Sequence, residues 1–80
     1  MATYRKASFK TIQAVVSESQ SVRLQFANHP GSVLMDLFTA SAIVKVHGAA
    51  SADNKAKIER MVETPNGLSK VAAACMKVLS

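Results

Sequence analysis

Tryptophan is absent from this 80-residue chain, cysteine occurs once and glycine three times. A single thiol, Cys75, has no internal disulfide partner, which fits a reducing compartment. Gly31, Gly48 and Gly67 stand apart from one another, so no glycine-rich loop exists to cradle a phosphate. Aromatic residues make up 5% of the chain. Tyr4 and Phe9 flank the N-terminal basic residues without forming the aromatic pair of a base-stacking platform, so a single-strand binding sheet is not expected. No apolar run approaches the ~20 residues of a membrane-spanning helix. No apolar segment follows Arg5 and Lys6, so a secretory leader is not expected either.

What is present describes a small folded unit. Half the residues, 49%, are apolar, too many for a disordered tail. The length suits one domain spanning 1–80, with 1–8 read as a flexible basic N-terminus. Ten Lys and Arg against five Asp and Glu give a net charge of +5, the balance of a protein that meets nucleic acid or an acidic partner. Arg5, Lys6 and Lys10 form the one local basic cluster free of acids. Lys55, Lys57 and Arg60 share their segment with Asp53, Glu59 and Glu63, while Lys70 and Lys77, seven apart, fall on one face of a helix. A solvated basic surface that keeps a small protein soluble is the plain reading, and a partner contact is the sharper one.

Turn signals at Asn28-His29-Pro30-Gly31, Gly48-Ala49-Ala50-Ser51 and Thr64-Pro65-Asn66-Gly67 divide the chain. The last segment is the clearest helix. Leu68, Val71, Ala72, Cys75 and Leu79 form an apolar stripe, and Thr64 and Pro65 suit its start. Ser51 to Asn54 can cap a helix that turns Ile58, Met61 and Val62 inward. Thr39 or Ser41 can cap another through Ile43, Val44 and Val46, with Gly48 as a left-handed terminator after His47. Pro30 can open a short helix through Val33, Leu34, Leu37 and Phe38. Residues 9–27 admit two readings. Phe9, Ile12, Val15, Val16, Val22 and Phe26 fit one long amphipathic helix capped by Ser8. The alternation of Val22-Arg23-Leu24-Gln25-Phe26 fits a β-hairpin turning at Ser17 to Gln20.

Reactive chemistry is hard to assemble from this inventory. Cys75 lies on an apolar stripe, where a thiol behaves as a small buried hydrophobe rather than a nucleophile. His29 reads as a loop residue and His47 as the end of a helix. Positions 29, 47 and 75 lack compact metal-ligand spacing, and no Cys-x-x-Cys or His-x-x-x-His occurs. Glu59 and Glu63, four apart, read as a solvated helix face. A helix-turn-helix alignment can be written with Gly48 at the turn and Lys55, Lys57 and Arg60 on a recognition helix. It places Asn54 where an apolar residue should lock the two helices together, and it turns Asp53 and Glu59 toward phosphate.

In its length, its Arg5-Lys6-Lys10 cluster and its empty inventory of active-site residues, the chain resembles the small phage-encoded anti-CRISPR proteins. The likeness is one of overall character and transfers no functional residue. It implies a compact domain without catalytic motifs that binds an effector complex through surface charge, in the cytoplasm of a bacterial host. The expected fold is a mostly α single domain of four to five short helices, the alternative being α+β with the 9–27 hairpin packed on C-terminal helices. The expected function is non-enzymatic inhibition or modulation of a nucleic-acid-processing complex by occlusion, without cofactor or metal. A small DNA-binding regulator and a self-associating structural or assembly protein are the alternatives. The partner would be an acidic protein surface or nucleoprotein complex, with non-specific nucleic acid and a second copy also considered and no membrane. The residues assigned to that contact are Arg5, Lys6, Lys10, Arg23, Lys55, Lys57, Arg60, Lys70 and Lys77.

Overall fold

The computed structural model describes residues 3–27 and 29–79. Its elements run β1 (Thr3–Lys6), α1 (Phe9–Glu18), β2 (Val22–Gln25), β3 (Ser32–Met35), α2 (Leu37–Ala49), α3 (Ala52–Met61) and α4 (Pro65–Leu79). The domain is mostly helical, with four helices and a small sheet among the described residues. In that sheet β2 is central, parallel to β1 on one side and antiparallel to β3 on the other.

The N-terminal third resolves into strand, helix and strand, and so corrects both readings of 9–27. Ser8 does cap a helix: its hydroxyl accepts the Thr11 N–H at 3.2 Å, and the Thr11 hydroxyl donates back to the Lys6 carbonyl at 2.8 Å. The helix stops at Ser19, whose φ of 53° is left-handed and whose N–H is bonded to the Val15 and Val16 carbonyls. A single long helix fails because that residue ends the stripe formed by Phe9, Ile12 and Val15. The hairpin fails because the same three residues follow helical spacing, so the strand at Val22–Gln25 finds its partners elsewhere. One partner is Thr3–Lys6, within the segment expected to be flexible; it pairs in parallel with β2 across the α1 crossover. Residues 1 and 2 of that expected tail lie outside the described residues.

Two further expectations are corrected around Pro30. Residues 32–35 form β3 rather than a helix opened by proline, because Val33, Leu34 and Met35 extend the sheet beside β2. Gly31, at φ 86°, supplies the turn conformation that side chains resist. The helix begins at Leu37, capped by the Asp36 carboxylate, which accepts the Thr39 N–H at 2.7 Å, so Thr39 and Ser41 lie inside it. Gly48 is helical rather than a left-handed terminator, and α2 runs on to Ala49. Downstream, the sequence is followed closely: Ser51 caps α3, and the Thr64 hydroxyl accepts the Gly67 N–H at the start of α4.

The helices bury one side of the sheet. Ile12 and Val15 of α1, Val22 and Leu24 of β2, Met35 of β3, Ile43 of α2 and Val62 are the largest side chains sealed from solvent. Each such aliphatic side chain contributes roughly 1.5–3 kcal/mol to folding. The apolar α2 is in the middle, packed on α1, α3 and α4, with Ala40 and Ala42 allowing close approach. Helix α3 buries no residue fully and leans on the core through Ile58 and Met61. Among the described residues no helix is long and apolar enough to cross a membrane.

Two glycines give opposite predictions. A Cβ at Gly67 would run into the Met61 carbonyl oxygen, so Gly67→Ala is expected to lower stability by about 1–3 kcal/mol in urea unfolding. At Gly48 an added methyl group would meet nothing within 4 Å, and the residue is helical, so Gly48→Ala should raise stability by up to about 1 kcal/mol. A destabilising Gly48→Ala would return Gly48 to the role of left-handed terminator.

Candidate functional site

Alternation along the strands sorts their side chains into two sets. Val22, Leu24 and Met35 face the helices and are buried, and Arg5 shares their side. Tyr4 and Lys6 of β1, Arg23 and Gln25 of β2, and Ser32 and Leu34 of β3 share the opposite side, where none is buried. The register aligns Tyr4 with Arg23 and Arg23 with Leu34, so these three stand in one row across the sheet. Lys6, Gln25 and Ser32 form the next row in the same way. Tyr4 is 57% exposed and Leu34 51%, and Phe38, just past the end of β3, reaches 70%.

This arrangement takes the N-terminal basic cluster apart. Arg5 points to the α1 side, where its guanidinium nitrogens lie 3.3 and 3.4 Å from the Glu18 carboxylate. Lys6 points the other way and borders a hollow of about 450 Å³ lined by Gln25, Phe26, Ala27, His29 and Gly31. Lys10 is exposed on α1, which turns its stripe of Phe9, Ile12 and Val15 inward. Arg23, which the sequence leaves isolated, is half-buried at the centre of the open face, between Tyr4 and Leu34.

The remaining basic candidates belong to the helical side. Lys55, Lys57 and Arg60 ride on α3, Lys70 and Lys77 on α4. Lys57 and Lys70 meet across a groove of about 310 Å³ whose walls include Val46, Ile58, Met61, Val71 and Val78. Asn54 is exposed on α3, so the apolar lock of a helix-turn-helix is missing from the structure as well as from the sequence. Glu59 is drawn away from any partner surface by His47, whose Nε2 lies 2.8 Å from its carboxylate. The imidazole also stacks on Phe9, with ring centroids 3.9 Å apart, so His47 fastens α1, α2 and α3 together.

No family model, curated protein or solved structure matches this chain. Its chemistry therefore follows from its own geometry. Cys75 is buried, and desolvation pushes its thiol above the ordinary value. It borders the Lys57–Lys70 groove, in whose lining no histidine occurs, while His29 borders hollows that contain no cysteine. Among the described residues no three His, Cys, Asp or Glu side chains gather closely enough to hold a metal. Tyr4 and Leu34, which share the sheet's open face, and the exposed Phe38 of α2 are what sequence reasoning missed. Nothing local in Thr3-Tyr4-Arg5-Lys6 marks Tyr4, and the spacing of Leu34 and Phe38 suggests the core face of a helix.

The position of Cys75 has a measurable consequence. The folded chain holds the thiol proton above the ordinary pKa of 9.0, so its contribution to stability is complete below that pH and is lost as pH rises past it. Native protein should react with a thiol reagent at pH 8 at least about tenfold more slowly than urea-unfolded protein. Its stability should also fall above pH 9 more steeply than that of Cys75→Ala. Equal labelling rates in the two states would place the thiol at the surface.

Proposed function

We propose that this chain is a non-enzymatic binding protein that inhibits or modulates a larger nucleic-acid-processing complex by covering an acidic protein surface, like the anti-CRISPR proteins it resembles. The observation that carries this reading is the uncovered sheet face, where Arg23 stands between Tyr4 and Leu34 with Lys6 beside them. Tyrosine and arginine are among the residue types that most often dominate binding energy, and here the register sets Arg23 between Tyr4 and Leu34. Hydrogen-bonded strands fix the backbone that carries these side chains before binding, so only side-chain rotamers remain to be ordered on contact. Lys6 and the net charge of +5 favour rapid encounter with an acidic surface.

An acidic protein surface suits this face better than single-stranded nucleic acid does. Base-stacking sheets present two or three aromatic rings, and Tyr4 is the one aromatic residue in the strands. Leu34 offers apolar area with no hydrogen bond to a base. A desolvated Cys75 thiol, and Glu18 and Glu59 already engaged by Arg5 and His47, support action by occlusion, with no bond made or broken. Acting on such a complex would place the protein in the cytoplasm of a bacterial host.

The test is inhibition of a panel of reconstituted CRISPR effector complexes, read as target-DNA binding and cleavage. The native chain is expected to suppress at least one member. Lys6→Glu with Arg23→Glu should weaken that effect at least about tenfold, without change in circular dichroism. Lys10→Glu and Lys55→Glu, on the helices, should leave it within about twofold. Suppression of no member, together with steeply salt-dependent and sequence-selective affinity for duplex DNA, would replace this reading with a transcriptional regulator.

A further inference from the structure

The two edges of the sheet differ in chemistry. The β1 edge carries Arg5 and Lys6, charges of the kind that keep an exposed strand from pairing with another chain. The β3 edge, Ser32-Val33-Leu34-Met35, carries neither charge nor proline, and among the described residues no strand lies beside it. Large apolar side chains cluster along it. Val33 is 39% exposed and Leu34 51%, and Leu37 and Phe38 follow at 40% and 70%. An exposed edge without charge or proline is a template for strand addition, and its four-residue length limits how far the pairing extends.

We infer that β3 pairs antiparallel with β3 of a second copy, joining two sheets of three strands into one of six about a twofold axis. Three observations select a second copy as the occupant. A twofold contact sets a surface against itself, which suits an uncharged apolar strand and opposes the β1 edge, where Arg5 and Lys6 would meet their own copies. Side chains opposite one another across paired strands share a face, so the axis passes through a residue. The two axes that pair three of the four strand residues pass through Val33 or Leu34, and either sets an apolar side chain against its own copy. The cations of the two copies also stay apart. Strands lie about 4.8 Å from one another, so Arg23 on β2 is three spacings, about 14 Å, from its copy, beyond the screening length of about 8 Å at physiological salt. Lys6 on β1 is five spacings, about 24 Å, from its copy.

The apolar patch along this edge amounts to a few hundred Å² per copy, less than the roughly 800 Å² per partner of a standard interface. The dimer is therefore weak and concentration-dependent, with dissociation on the order of tens of micromolar. It extends the open face across the junction, so that two Tyr4–Arg23–Leu34 rows lie on one side of a continuous sheet.

Sedimentation velocity of the full chain from about 5 µM to about 1 mM tests this. Mass is expected to rise with concentration and to level off at twice the 8.5 kDa chain. Leu34→Lys should hold the protein monomeric throughout. Tyr4→Lys, on the same face but at the far edge, should dimerise like the native chain. Should Leu34→Lys fail to fold by circular dichroism, Phe38→Lys, at a more exposed helix position, takes its place with the same expectation. A native chain that stays monomeric to 1 mM overturns the inference, as does growth beyond the dimer. Loss of dimerisation in Tyr4→Lys also overturns it, because the open faces would then be stacking rather than the edges pairing.

Discussion

Val22, Leu24 and Met35 project from one side of a three-stranded sheet into a single buried cluster shared with Ile12 and Val15 of α1, Ile43 of α2 and Leu68 and Val71 of α4. Helix α1 arrives first, because the crossover between parallel strands returns it over β1 and β2. Helix α2 then packs on α1, and α3 and α4 close around α2. The buried side chains of the sheet all lie on the side of Val22, Leu24 and Met35, and the other side carries Tyr4, Arg23 and Leu34, none of them buried.

Strand pleat and helix placement also decide what each cation can do. Arg5 and Lys6 are neighbours in the chain and point to opposite sides of the sheet, so the first is held by Glu18 and the second joins the open face. Charge counted along the sequence therefore overstates the N-terminal cluster and understates Arg23. The two sheet edges diverge for a related reason: charged residues protect β1, while β3 carries no charge and three apolar side chains. The occluding face and the self-pairing edge that we propose are thus compatible on one sheet.

The C-terminal half was largely legible from sequence. Ser51 and Thr64 act as caps, Pro65 opens α4, and Leu68, Val71 and Cys75 are buried as their spacing requires. These signals are local, each involving residues within a turn or two of one another. The N-terminal half was less legible, because its strands depend on partners distant in the chain. Thr3–Lys6 has no strand character of its own until β2 lies beside it, and Val33 to Met35 extend only because they can pair with Val22 to Leu24. The link from His47 to Glu59 and Phe9 was equally hidden, since it joins three helices at once.

A small basic domain, mostly helical, with the caps at Ser8, Ser51 and Thr64 and a buried cysteine, can be read from the order of the residues. Those properties follow from composition and from contacts within a few positions. Which strand is central, which basic residues share a surface and which apolar ones are left outside emerge only in the folded molecule. Such outcomes depend on pairing register and on which side of the sheet the helices cover, and both are settled by contacts between residues far apart in the chain.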